Sequence, residues 1–218
     1  MSDTILIINP NSSAAVTQGI REAIAHLEPV SGPVFEVIDL PDSPATIMSS
    51  EDVAVAGLGF ADALRQRPDA AAYVSACFSD PGVEMSRPLV TAPVIGVQDA
   101  GILTAMAVAD LFGIIALAPA SVARHRLKIR SMGVESRLAG ELPLPGVSAE
   151  ASGRDPEVYD LCVDLGRQLR AQGAGAVVLG CAGMAPIRAR LERDIGIKVI
   201  DPVQAAAAMA LGLVGAAG

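Results

Sequence analysis

Two stretches decide the fold: AAYVSACFSDPG at residues 71–82 and GAVVLGCAGMAP at residues 175–186. In each, a short apolar run with β-branched residues reads as a buried parallel strand. Each run ends in a small residue, then a cysteine (Cys77 or Cys181), then a turn carrying Gly and Pro. Cys77 and Cys181 thus stand at the carboxyl ends of two like strands, where a parallel α/β sheet presents its ligand-binding edge.

Working outward, the same order of elements is read twice. A strand at residues 4–8 (TILII) leads into Asn9-Pro10-Asn11-Ser12-Ser13, where Asn11 or Ser13 caps a helix bearing Val16, Ile20, Ile24 and Leu27. A second strand at 35–40 and a helix capped by Ser49 or Ser50 precede the Cys77 strand. A short helix opened by Pro81-Gly82, a strand at 93–97 and a helix at 99–111 follow. The pattern then restarts with a strand at 112–117 running into Ala118-Pro119-Ala120-Ser121. A helical segment, a Pro-rich connection around Pro143 and Pro145, and a helix capped by Asp155-Pro156 come before the Cys181 strand. A helix from Pro186 to Ile195 and a strand at 197–200 close the series.

The two cysteines are spaced by 104 residues, and Val94-Ile95 and Val199-Ile200 by 105; each of the latter is followed by a Val-Gln pair. Several matches in one order predict an α/β fold of two pseudo-symmetric lobes, each a mostly parallel sheet flanked by helices. The expected division is residues 1–98 with 203–218 for lobe 1 and 99–202 for lobe 2. Facing lobes would put both cysteines on one cleft, the expected active site.

Composition supports this class. The 218 residues are 51% hydrophobic, 18% charged and only 3% aromatic, so the core is aliphatic. A formal charge of −8 and a pI near 4.7 argue against nucleic-acid binding, which needs a basic stripe. The three cysteines show no metal-ligand spacing, so no metal is expected. MSDTILIINPN has no cationic export signal, and the apolar stretch 203–214 is too short to span a bilayer. The expected location is the cytoplasm, with no membrane partner.

The chemistry follows from the thiols. A cysteine has an ordinary pKa near 8.5, and its thiolate is a base. One thiol and one thiolate on opposite sides of a carbon acid would remove a proton from one face and deliver one to the other. If a carbonyl already activates that carbon, no cofactor is needed. Cys162 lies beside Leu161 and Leu165 on an apolar helix face and reads as core. His26 and His125 read as surface residues, and Arg124, Arg126, Lys128 and Arg130 as a solvated face. Asp80 either orients Cys77 or caps the helix after it. Gly57-Leu58-Gly59 falls inside a helical pattern, not after a strand, so it is no dinucleotide fingerprint.

NPNSS after the first strand, ACFSDPG around Cys77 and VLGCAGM around Cys181 resemble the Asp/Glu racemase superfamily, specifically its hydantoin and allantoin racemase branch. The likeness covers nearly the whole chain. It implies cofactor-independent racemisation at C5 of a hydantoin ring, with Cys77 and Cys181 as the two acid/bases. By motif it assigns substrate contacts to Asn11, Ser79, Asp80, Ala182 and Gly183, and it implies homo-oligomers. Amino-acid racemases of this superfamily usually carry GCTH where this chain has Gly180-Cys181-Ala182-Gly183. Loss of that hydroxyl favours a neutral cyclic amide as the small-molecule partner. A second departure is ALAPAS at 116–121, where many relatives have a Thr-containing strand end. The competing readings are a maleate cis-trans isomerase or amino-acid racemase of the same superfamily, an arylmalonate decarboxylase, which two cysteines disfavour, and a binding protein with inert thiols.

Overall fold

The computed structural model describes residues 4–216. Two compact units emerge, Met1–Ala100 with Val203–Gly218, and Gly101–Pro202. The expected limits at residues 1 and 218 lie outside the described residues, and the expected change-over at 98/99 falls two residues before the observed one.

The first unit is built from β1 (Thr4–Asn9), α1 (Ala14–Ile24), β2 (Val34–Asp39), α2 (Ser50–Gln66), β3 (Ala72–Ser75), α3 (Val83–Ser86), β4 (Val94–Gly96) and the start of α4 (Val97–Val108). Its sheet has the order β2-β1-β3-β4, with every pairing parallel. β3 is buried along its whole length, which explains a run without alternation. Leu6, Ile8, Phe60, Leu64, Tyr73 and Val83 form one core under α2. Ser13, not Asn11, caps α1 by accepting from the Val16 N–H. Ser49 caps α2 in a reciprocal box with Asp52.

The second unit repeats the plan with β5 (Phe112–Ala116), α5 (Pro119–Ser131), β6 (Leu138–Pro143), α6 (Ala151–Arg154), α7 (Pro156–Ala171), β7 (Ala176–Gly180), α8 (Arg188–Ile195) and β8 (Lys198–Ile200); α9 (Pro202–Ala216) starts at its last residue and from Val203 on belongs to the first unit. Its order β6-β5-β7-β8, again parallel, matches the first sheet strand for strand. β6 was not foreseen in the Pro-rich stretch. As an edge strand it tolerates Pro143, and its register against β5 shifts at Phe112/Gly113, which weakens any periodic signal. The segment after Cys181 begins as a 3-10 helix, Ala182–Ile187, before α8. No helix among the described residues is long and apolar enough to cross a membrane.

Cys162 is fully buried in the core of the second unit, among Val158, Leu179 and Leu191, as expected. Leu161 beside it is instead 41% exposed. His26 is exposed as expected, but His125 is not. It is buried with its Nδ1 2.6 Å from the Glu141 carboxylate, itself buried. The reason is tertiary: α5 lies against the edge strand that the sequence reading missed, and Glu141 on that strand meets the ring.

Burial pushes the Cys162 thiol up to about 12. Burial and a 2.6 Å hydrogen bond donated to the Asp194 carboxylate also push the Tyr159 phenol to about 12. Both groups keep their protons in the folded state while the unfolded chain releases them from about 8.5 for the thiol and about 10 for the phenol. The native state then binds more protons, so stability is intact below about pH 8.5 and falls as pH rises towards 12. Urea midpoints measured between pH 7 and 11 should decline steadily over the alkaline half of that range.

Candidate active site

In the first unit, the carboxyl edge of the sheet carries two loops. Asn9 and Asn11 close β1: the Asn9 amide donates to Asn11 Oδ1 at 2.9 Å and to Thr17 Oγ1 at 3.0 Å. Asn11 Oδ1 also accepts the Ser13 N–H at 2.9 Å, and Thr17 Oγ1 donates to Asp39 at 3.1 Å. The Asn11 carbonyl oxygen is therefore engaged in building the loop, and among the described residues its amide nitrogen has no bond of its own. The Asn9-Thr17-Asp39 part of this network was not singled out from sequence, because its members are spread over three elements.

The neighbouring loop follows β3, which is held to β1 by the Ala76 N–H on the Ile8 carbonyl at 2.8 Å. Cys77 is half-buried and forms no disulfide. Its carbonyl accepts the Asp80 N–H at 2.8 Å, and Ser75 Oγ donates to the Pro81 carbonyl at 3.1 Å, so the turn is folded back on its own strand. Ser79 is half-buried on this turn. Gly82 has φ of +78°, and a Cβ there would meet the Gly57 carbonyl at 2.6 Å, so α2 packs directly on the turn.

Asp80 answers the question left open in the sequence. It has φ of +45°, the one non-glycine positive φ among the described residues. Its carboxylate accepts the Gln98 N–H at 2.8 Å and the Asp99 N–H at 3.1 Å. It therefore caps α4, eighteen residues on, and not the short α3 that follows it. Only the packing of β4 beside β3 brings those amides near.

In the second unit, Cys181 is half-buried and occupies the N-cap position of the 3-10 helix. Its Sγ accepts the Gly183 N–H at 3.4 Å, and its carbonyl accepts the Met184 N–H at 3.1 Å. Burial pushes the thiol up; the Gly183 N–H and the Ser152 hydroxyl favour the thiolate, and the Asp201 carboxylate opposes it. The net direction favours the protonated thiol.

Ser152 was not expected. It lies on α6, is buried, and donates to the Ala149 carbonyl at 2.7 Å. The α6 segment packs so closely on the Cys181 turn that a Cβ on Gly183 would overlap the Ala149 carbonyl, and one on Gly153 would overlap the Gly183 carbonyl. Glycine at 183 thus has a steric cause: the segment around α6 takes the space a side chain there would need. Ala182, beside it, is buried.

The structure therefore groups Asn11, Cys77, Ser79 and Asp80 at one sheet edge, and Cys181, Ala182 and Gly183 at its counterpart in the other unit. No group of three or more His, Cys, Asp or Glu side chains able to hold a metal occurs among the described residues.

Comparison with known proteins agrees with this architecture. The family model described as Asp/Glu/Hydantoin racemase matches residues 5–210. A hydantoin racemase of Paenarthrobacter aurescens is 36% identical over 96% of this chain and 90% of its own length. One from Rhizobium meliloti is 35% identical over 97% and 89%. Among solved structures, an allantoin racemase from Klebsiella pneumoniae superposes with a TM-score of 0.88 at 30% identity, covering 98% of this chain and 88% of that one.

Proposed function

We propose a function from one premise: the chain belongs to the Asp/Glu/Hydantoin racemase family. It is an isomerase of the racemase type. The substrate we assign is a 5-substituted hydantoin, allantoin being one, interconverted between its D and L forms. The observation that carries this reading is the pair of half-buried thiols, Cys77 and Cys181, at equivalent strand ends of two like-built units in a chain similar to hydantoin racemases over nearly its full length.

In the proposed mechanism the C5 proton leaves to one cysteine as thiolate, and the other delivers a proton to the opposite face. The carbon is already acidic because its charge spreads onto the adjacent ring carbonyl, so the protein needs donors there, not a cofactor. Asn11, whose amide nitrogen is unspent, and Ser79 are suited to ring carbonyls and amides on the Cys77 side. The backbone at Ala182 and Gly183 serves the Cys181 side. A neutral ring needs no carboxylate-binding hydroxyl at position 182, in keeping with Ala there. A cytoplasmic location and a homo-oligomeric assembly complete the reading.

Purified protein in D₂O with an L-hydantoin should bring optical rotation to zero while the product enantiomer gains C5 deuterium. Rotation that stays constant across a panel of L- and D-hydantoins and allantoin would overturn the assignment. The pH profile of kcat/KM should be bell-shaped, since one thiol must be charged and the other neutral. Because burial raises Cys181, the alkaline limb should lie above about pH 8.5, the ordinary thiol value. Both enantiomers should give the same profile, as their equilibrium constant is one.

A further inference from the structure

Strand pairing allows the two units to be compared residue by residue. Tyr73 pairs with Val94 in the first sheet, and Val177 pairs with Val199 in the second. Cys77 and Cys181 each stand four residues after the first member of their pair. In the same register Gly96 corresponds to Asp201, and each directly precedes a helix, α4 or α9.

These corresponding positions differ in residue type and agree in chemistry. A Cβ built on Gly96 would fall on the carboxylate of Asp80. The Asp80 carboxyl group therefore occupies the place from which the Asp201 side chain departs in the other unit. Asp80 is 7% and Asp201 is 2% exposed. Each unit thus keeps a buried carboxylate at the end of its fourth strand, one reaching over from the cysteine turn and one growing from the strand itself. At that end a carboxylate is favoured by the helix dipole.

Backbone geometry adds a second observation. A non-glycine residue at φ of +45° is retained only where the surroundings over-determine it. Here the left-handed backbone of Asp80 lets its N–H close on the Cys77 carbonyl at 2.8 Å while its carboxylate reaches the Gln98 and Asp99 amides. One residue so ties the Cys77 turn to the rigid start of α4.

Resting on the racemase reading, we propose that Asp80 is a positioning residue of the reaction: it sets where the Cys77 thiol stands by pinning the Cys77 turn to α4, and it acts through Cys77 without touching substrate. Asp201 holds the corresponding place beside Cys181, whose proton affinity its charge already raises.

The test moves the carboxylate. Asp80→Gly removes it and accepts the positive φ without strain. Gly96→Asp in the Asp80→Gly background returns it from the strand end, as the second unit has it. Asp80→Gly should lower kcat about 30-fold with KM within about twofold, since small misplacements of a reacting group cost up to about a hundredfold. It should also change the ratio of Cys77 to Cys181 alkylation by iodoacetamide, read by peptide mass spectrometry, at least about threefold. The Asp80→Gly/Gly96→Asp protein should recover about tenfold in kcat and the parental labelling ratio. Asp80→Asn, which tolerates the left-handed region and keeps one acceptor, should fold normally and fall between.

A rise in KM with kcat and labelling unchanged would make Asp80 a substrate contact and overturn the proposal. A lowered melting temperature with kcat and labelling ratio unchanged at 20 °C would reduce it to a stability role and overturn it equally. If the unaltered protein racemises no hydantoin, the function fails, and the labelling ratio still decides the position of Asp80.

Discussion

Cys77→Ser and Cys181→Ser should each lower hydantoin racemisation by about 10³-fold or more. Serine has nearly the size of cysteine but holds its proton far above neutral pH, so it neither takes the C5 proton nor gives one readily. General acid–base catalysis is worth about 10²–10⁴-fold per group, and the proposed mechanism uses both groups in one turnover. The variants should differ in a second property. Each retains one thiol on one side of the carbon, which can remove a proton and return a solvent proton to the same face. In D₂O each should wash deuterium into one enantiomer with retention, and the two should choose opposite enantiomers. NMR loss of the C5 signal alongside unchanged optical rotation would record this. Racemisation above about 1% of the parental rate in either variant would end the two-thiol mechanism. Cys162→Ala, altering a thiol buried in the aliphatic core, should leave kcat within about twofold.

Gly183→Ala is expected to have the second large effect, on stability and activity together. The added methyl would overlap the Ala149 carbonyl, a backbone atom that cannot rotate away as a side-chain end would. Overpacking against backbone costs about 3 kcal/mol, enough to lower the melting temperature by about 6–12 °C in a chain of this size. Activity should fall further than the unfolded fraction explains. Relief of the overlap moves either α6 or the turn that places the Gly183 N–H 3.4 Å from Cys181 Sγ, and both groups bear on that thiol. Urea unfolding beside steady-state kinetics at 20 °C separates the two effects. A variant as stable as its parent would show that α6 yields easily, and the steric account of glycine at 183 would fall.

The two-unit architecture was legible because it is written in local signals repeated in order: buried β-branched runs, a small residue and a cysteine at each third strand, and matched spacings of 104 and 105 residues. The pairing of Val94 and Val199 with corresponding strand residues bears out that register. Cys162 was separable for the same reason, since helical periodicity alone puts it on the packed face. The caps at Ser13, Ser49 and Asp155 were likewise readable, as each side chain bonds an N–H two or three residues on.

What stayed hidden is what joins residues far apart in the chain. β6 carries an edge pattern broken by prolines, so Glu141 and its contact with His125 were invisible. α6 is four residues long, too short for any period, yet it brings Ser152 to Cys181 and dictates glycine at 183. The sequence by itself determined the fold class, the repeat and the strand-end placement of Cys77 and Cys181, because each rests on residue type and short spacing. Only the tertiary structure decided what surrounds those cysteines. Whether Asp80 caps the next helix or one eighteen residues on depends on which strand lies beside β3, and strand neighbours are set by packing across the sheet.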